Sequence, residues 1–92
     1  MNQAILFSDN EKYNAHLQQL EFQAQHQGKL ISCIISINGL LSLSESDDFV
    51  LTEERVLALF DAVRFDIEEL AEKLIYKESF HSDGKVYLTD IL

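Results

Sequence analysis

Arg64 stands with Asp61 three residues before it and Glu68 four residues after it. On a helix those offsets bring both carboxylates beside the guanidinium. A guanidinium at the edge of an apolar face can grip an anionic ligand or a partner's carboxylate through its planar fork of donors. The plainer reading is an ion pair within the helix, worth roughly a few tenths of a kcal/mol if exposed. Phe65, its neighbour, is either a core anchor or an exposed aromatic hot spot of an interface. Arg64, Phe65, Asp61 and Glu68 are therefore the candidate binding residues.

Other groups carry weaker signals. Asp61, Glu68 and Glu72 line one helix edge, with Glu54 further back, and oxygen ligands of that kind suit a hard divalent cation. That edge lacks the Glu-x-x-His spacing of helical metal bundles, and the acidic run from Glu45 to Asp48 lacks the glycine and ligand spacing of a calcium loop. A solvated acidic surface explains both, and no metal is assigned. Cys33 alternates with Ile31 and Ile35, which makes it a buried, inert thiol rather than a nucleophile. His16, His26 and His81 sit in no recognised motif, fall in expected turns or loops, and read as ordinary surface histidines. No glycine-rich phosphate loop, Ser-His-Asp order or zinc motif is present. No catalytic residue and no cofactor is expected, and an enzyme is the less favoured class.

The element that must position Arg64 runs from Thr52 to Phe80. At one hundred degrees per residue, Val56, Leu57, Leu59, Phe60, Val63, Ile67, Leu70, Ala71, Leu74 and Ile75 fall within an arc of roughly 160°. Thr52 suits the N-cap, Glu53 and Glu54 suit the first turn, and Lys73 and Lys77 suit the last. Arg64 falls inside the apolar arc, and Phe65 points away from it beside Ala58, Ala62 and Tyr76. A break in the helix, with Asp66 as a new N-cap and Glu69 as its capping partner, would return Phe65 to the core. A straight helix whose second stripe, Phe65 with Tyr76, meets a partner chain is the alternative. Unbroken, the helix would be about 40 Å long, against about 30 Å for a compact domain of this size.

Before that region, Ile5 to Phe7 reads as a short strand, and Asp9 to His16 as a loop anchored by Tyr13. Leu20, Phe22 and Ala24 alternate with glutamine and glutamate, as do Ile31, Cys33, Ile35 and Ile37 with their neighbours, predicting two half-buried antiparallel strands. A four-residue turn, residues 25–28, sets Phe22 opposite Ile31 and Leu20 opposite Cys33, with both apolar faces on one side. Asn38 is the expected cap of a short helix holding Leu40, Leu41 and Leu43. Residues 44–48 form a solvated connection, and Phe49, Val50 and Leu51 lead into the helical region. Ser82-Asp83-Gly84 is a turn before a final strand with Val86 and Leu88. The fold class is α+β: a small antiparallel sheet of about four strands, a short helix, and a long C-terminal helical region, kinked or straight, packed on one face.

Ninety-two residues make a single domain, 1–92, and nearly half are apolar, so the core needs no staple. One cysteine excludes an intrachain disulfide and fits a reducing cytoplasm. No apolar run approaches a membrane span. Sixteen acids against seven bases give a net charge of −9. Such a surface repels phosphate backbones, so no nucleic acid and no membrane are expected as partners, whereas a basic or apolar protein, or a second copy, is.

Met1-Asn2-Gln3-Ala4-Ile5 with Phe7, Phe22-x-Ala24, Gly28, Cys33-x-Ile35-Ser36, Arg64-Phe65-Asp66-Ile67-Glu68-Glu69-x-Ala71-Glu72 with Leu74-Ile75, and Gly84-x-Val86-x-Leu88 together resemble the YrdB-like family of short bacterial proteins, a domain of unknown function. The resemblance spans nearly the whole chain and is most specific at residues 64–69. It implies a bacterial, stand-alone small α+β domain and carries no activity, substrate or cofactor. The chain departs from the family's pattern at Gln23, where proline is usual, at Val63, where a histidine often precedes the arginine, and at Asn38, where an acid is common. Two functions follow: a non-enzymatic protein-interaction or accessory module, and alternatively a small ligand-binding protein or enzyme with an anion site around Arg64.

Overall fold

Two eight-residue strands, β3 (Gln19–His26) and β4 (Lys29–Ser36), form the centre of the sheet. A computed structural model describes residues 4–46 and 52–91. Leu20, Phe22 and Ala24 on β3 and Ile31, Cys33 and Ile35 on β4 are buried in one core with the helices, as their alternation requires. The turn between them is shorter than expected, with only Gln27 and Gly28 at its tip. Both have positive φ, 54° and 78°, the backbone of a type I′ turn whose twist matches paired strands. Phe22 therefore faces Cys33, and Leu20 faces Ile35. The expected register was off by two residues, and a slip of two leaves every side chain on its own face.

The edge beside β3 is split. β1 (Leu6–Phe7) pairs with Gln25 and Ala24, and β2 (Lys12–Asn14) with Glu21, Leu20 and Gln19. The expected loop from Asp9 to His16 thus contains a strand, which one apolar residue in three could not signal. Tyr13 does pack against the core. Residues 8–11 lie opposite only Phe22 and Gln23, a bulge that bends the edge and brings Glu11 toward the helices.

Ser36, not Asn38, caps α1 (Ile37–Ser44): its Oγ accepts the Gly39 N–H at 3.0 Å. The strand therefore ends one residue earlier than expected, and buried Ile37 opens the helix. Asp47, Asp48 and the expected apolar lead-in, Phe49 to Leu51, lie outside the described residues. Thr52 caps α2 (Glu53–Ala62) as expected, its Oγ1 accepting the Arg55 N–H at 3.1 Å.

The helical region is broken, three residues before the expected cap. Val63, at φ −120° and ψ 23°, separates α2 from α3 (Arg64–Tyr76), with no side chain capping the new start. Its N–H is shared between the Leu59 and Phe60 carbonyls at 3.3 and 3.2 Å. Asp66 and Glu69 are inside α3, so Asp66 is a first-turn acid rather than an N-cap. The break does not return Phe65 to the core, as a break was expected to do, because α3 buries Ile67, Ala71, Leu74 and Ile75, and Phe65 lies about 160° around the axis from Ile67. Of the two readings of Phe65, the exposed one holds. Phe65 is 85% exposed. Length did not force the break either, since the molecule extends 44 Å along its longest axis.

After the helices the chain returns to β4 as β5 (Val86–Tyr87), setting Val86 beside Cys33 and Tyr87 beside Ile34 in parallel. The expected all-antiparallel sheet of about four strands is therefore a mixed sheet of five, in the order β1-β3-β4-β5 with β2 also on β3. A crossover through three helices can deliver a parallel strand where a tight turn cannot. Leu88 is buried as predicted, but in a 3-10 turn, Leu88–Asp90, rather than the strand. The class remains α+β, with helices packed on one sheet face. No helix among the described residues is long and apolar enough to cross a membrane.

Candidate functional site

Three elements converge on Arg64. As the first residue of α3 it sits directly after the break, close to Phe60 and Asp61 in the last turn of α2 and one turn before Glu68. The edge bulge adds Glu11, 53 positions away. Arg64 Nη2 lies 2.5 Å from Asp61 Oδ1 and 2.6 Å from Glu11 Oε1, and Nη1 lies 3.9 Å from Glu68 Oε2. Its guanidinium carbon is 4.9 Å from the centre of the Phe60 ring, a cation–π contact. Glu11 Oε1 is buried, and the Arg64 guanidinium 2.6 Å away compensates it.

Burial alone would lower the guanidinium's pKa. Hydrogen bonds and charge from Asp61 and Glu11 reverse that and raise it, so the cation is permanent. Glu68 is raised, first by desolvation and then by the charges of Glu72, Asp9 and Glu11, against the lowering effect of Arg64. Three carboxylates around one cation leave a net negative cluster that repels a small anion. Chemically the cluster is a tie, holding the α2–α3 elbow to the split sheet edge.

Because the folded-state pKa of Glu68 lies above its unfolded value, its ionisation opposes folding above the carboxylate range, and the opposition disappears as pH falls through it. Glu68→Gln should therefore stabilise the fold by roughly 0.5 kcal/mol near pH 7 and by almost nothing near about pH 4. Urea unfolding at the two pH values checks this, and an equal gain at both would assign the effect to something other than charge.

Asp61 and Glu68 are thus brought together with Arg64. Phe65, the next residue, faces away from the cluster. On α3 it shares a stripe with Glu69, Glu72 and Tyr76, at offsets of four, seven and eleven residues. Glu11 is the member that sequence reasoning missed, because its partner is remote in the chain and no local period marks it.

Cys33 is fully buried, and its thiol is pushed up to about 12, by burial first and the Glu21 charge second, so it is no thiolate at neutral pH. His16 is exposed in the turn after β2. His26 was expected in a turn but ends β3, because that turn is two residues rather than four. His81 Nε2 lies 2.8 Å from Asp90 Oδ2, and its ring meets that of Tyr87 at a tilt of 42° with centroids 4.3 Å apart, while the Tyr87 hydroxyl donates to Asp83 at 2.6 Å. That exposed group is folded together by the turn before β5, and its sequence spacing gave no sign of it. Glu78 and His81 have Glu-x-x-His spacing but lie beyond the end of α3, so no helix face presents them together.

The family described as "Protein of unknown function (DUF1488)" matches residues 5–88. An "Uncharacterized protein YrdB" of Escherichia coli (strain K12) is 38% identical over 88 residues, covering 96% of this chain and 99% of its own. The protein of the same description from Shigella flexneri is 36% identical with the same coverage. A crystal structure of a DUF1488-family protein of unknown function from Shewanella loihica superposes with a TM-score of 0.84 at 39% identity, covering 95% of this chain and 93% of the other. With a near full-length family match, relatives above one third identity and a shared fold, the chain belongs to the DUF1488 family.

Proposed function

We propose that this protein is a single-domain, non-enzymatic interaction module of the bacterial cytoplasm, which presents the outer stripe of α3 to a basic, apolar segment of a partner protein. One observation carries the reading: Phe65 is 85% exposed on a helix whose neighbouring outer residues are Asp66 and Glu69. A large aromatic in that position gains by burial, and acids around it select a partner of opposite charge. From Phe65 to Tyr76 the stripe is about 16 Å long, enough for one face of a partner helix.

Charge argues against a second copy as the occupant. A two-fold contact would set the same acids of both copies against each other. Net charge argues against nucleic acid, and filter retention at low salt would reverse that judgement. An anion site at Arg64 finds less support, because the guanidinium is already surrounded by carboxylates.

Capture from a bacterial lysate with wild type and with Phe65→Ser, followed by mass spectrometry, tests the proposal. Phe65→Ser should fold as wild type does, within about 0.5 kcal/mol, since it removes an exposed side chain. It should weaken the captured partner at least about tenfold. Binding should also fall with salt, and the partner's contact segment should be basic. A partner indifferent to Phe65 and to salt would sink the reading, as would a dimer in sedimentation that Phe65→Ser dissolves.

A further inference from the structure

A cleft of about 460 Å³ opens where the β3–β4 turn meets the end of α3. That volume suits a small ligand. Its floor is apolar, formed by Ile31 and Ile75, which are otherwise almost wholly buried. Tyr76 and Phe80 wall it, both partly exposed. None of the residues around Arg64 contributes to it, and neither does Phe65.

The rim carries four polar side chains: His26, Gln27, Lys29 and Glu78. The His26 ring stands edge-on to Tyr76, with centroids 5.6 Å apart and planes at 86°. Its Nδ1 is buried and has no hydrogen-bond partner among the described residues. Glu78 is held at the rim by the end of α3. Its φ is +55°, its N–H donates to the Ile75 carbonyl at 3.0 Å, and the Ser79 N–H donates to the Leu74 carbonyl at 2.9 Å, the paired bonds of a Schellman end.

Lys29 and Glu78 bring one charge of each sign, so the rim is balanced in a chain of net charge −9. A balanced rim gives no net attraction to a polyanion or a metal ion. It matches a small molecule that itself bears both charges. We propose that this cleft binds a small zwitterion with an apolar body, the class of free hydrophobic α-amino acids. The carboxylate is taken by Lys29, the ammonium by Glu78, and the side chain lies on Ile31, Ile75 and Phe80.

The test is amide chemical-shift titration of the 15N-labelled full chain with L-phenylalanine, N-acetyl-L-phenylalanine and L-phenylalaninamide. The last also imitates the free amino end of a peptide. L-Phenylalanine should shift the amides of Gln27, Lys29, Tyr76 and Glu78 saturably, with a Kd on the order of 1 mM. Each blocked analogue should bind about tenfold more weakly. Both rim residues are exposed, so Lys29→Gln and Glu78→Gln should melt as wild type does. Glu78→Gln should weaken phenylalanine but not the acetylated analogue, and Lys29→Gln should weaken phenylalanine but not the amide. A general loosening of the fold would not give that crossed pattern. Phe65→Ser should leave the titration unchanged, which separates this site from the α3 stripe. Absence of saturable shifts at the cleft, or analogues binding as tightly as phenylalanine, overturns the proposal.

Discussion

Phe60→Ala lowers the unfolding free energy by about 3–5 kcal/mol, the cost of deleting a fully enclosed aromatic and leaving a void. Phe60 has no exposed surface, and its ring meets Phe22 edge-on at 5.3 Å. Phe22 in turn contacts Phe7 from the edge strand at 6.2 Å. The same ring lies under the Arg64 guanidinium, so truncation also removes the apolar face on which the cation rests. Phe60→Leu keeps most of the volume and should cost about 1–1.5 kcal/mol, which keeps the test readable if the alanine variant does not fold. Denaturant unfolding of both variants beside Phe65→Ala, five residues on and solvent-facing, gives the contrast. A loss near that of Phe65→Ala would mean that Phe60 is not the centre of the core.

Arg64→Ala should cost about 2 kcal/mol near pH 7. A fully buried ion pair broken on one side loses about 3–5 kcal/mol, and this cluster is less enclosed, with Arg64 22% and Glu11 12% exposed. The loss arises mainly from what remains: Glu11 without its cation, and Asp61 and Glu68 repelling it. Carboxylates in that state have folded-state pKa values above their unfolded ones. Their penalty is therefore present above the carboxylate range and disappears as pH falls through it. The deficit of Arg64→Ala should shrink by more than half between about pH 7 and about pH 4. Arg64→Lys should recover only part of it, because an ammonium has no second nitrogen to turn toward Glu68 and no planar face to set against Phe60. Urea titration of the three proteins at both pH values decides the matter, and a pH-independent deficit would make Arg64 a packing residue instead.

These two residues mark how far local pattern reaches. Phe60 was placed in the core by its position in the apolar arc, and it is there. Arg64 was singled out because it broke that arc, and its pairing with Asp61 and Glu68 followed from helix offsets alone. Glu11 could not be found that way, since only the edge bulge carries it to Arg64. The disagreement of Arg64 and Phe65 with the helical wheel did mark the neighbourhood of the break. It did not mark Val63, which breaks the helix without any side-chain cap.

By itself the sequence determined the α+β class, the buried faces of β3 and β4, the Thr52 cap and the apolar stripe along α2 and α3. Each rests on interactions within a few residues, where a period of two or 3.6 and a hydroxyl three places before an N–H are written directly in the chain. The tertiary structure decided the hairpin register, the strand at Lys12–Asn14, the parallel arrival of β5, the exposure of Phe65 and the meeting of Glu11 with Arg64. These depend on contacts between segments far apart in sequence. A turn's positive φ angles, a bulge or a crossover sets such contacts, and no local alternation of apolar and polar residues encodes the distance between them.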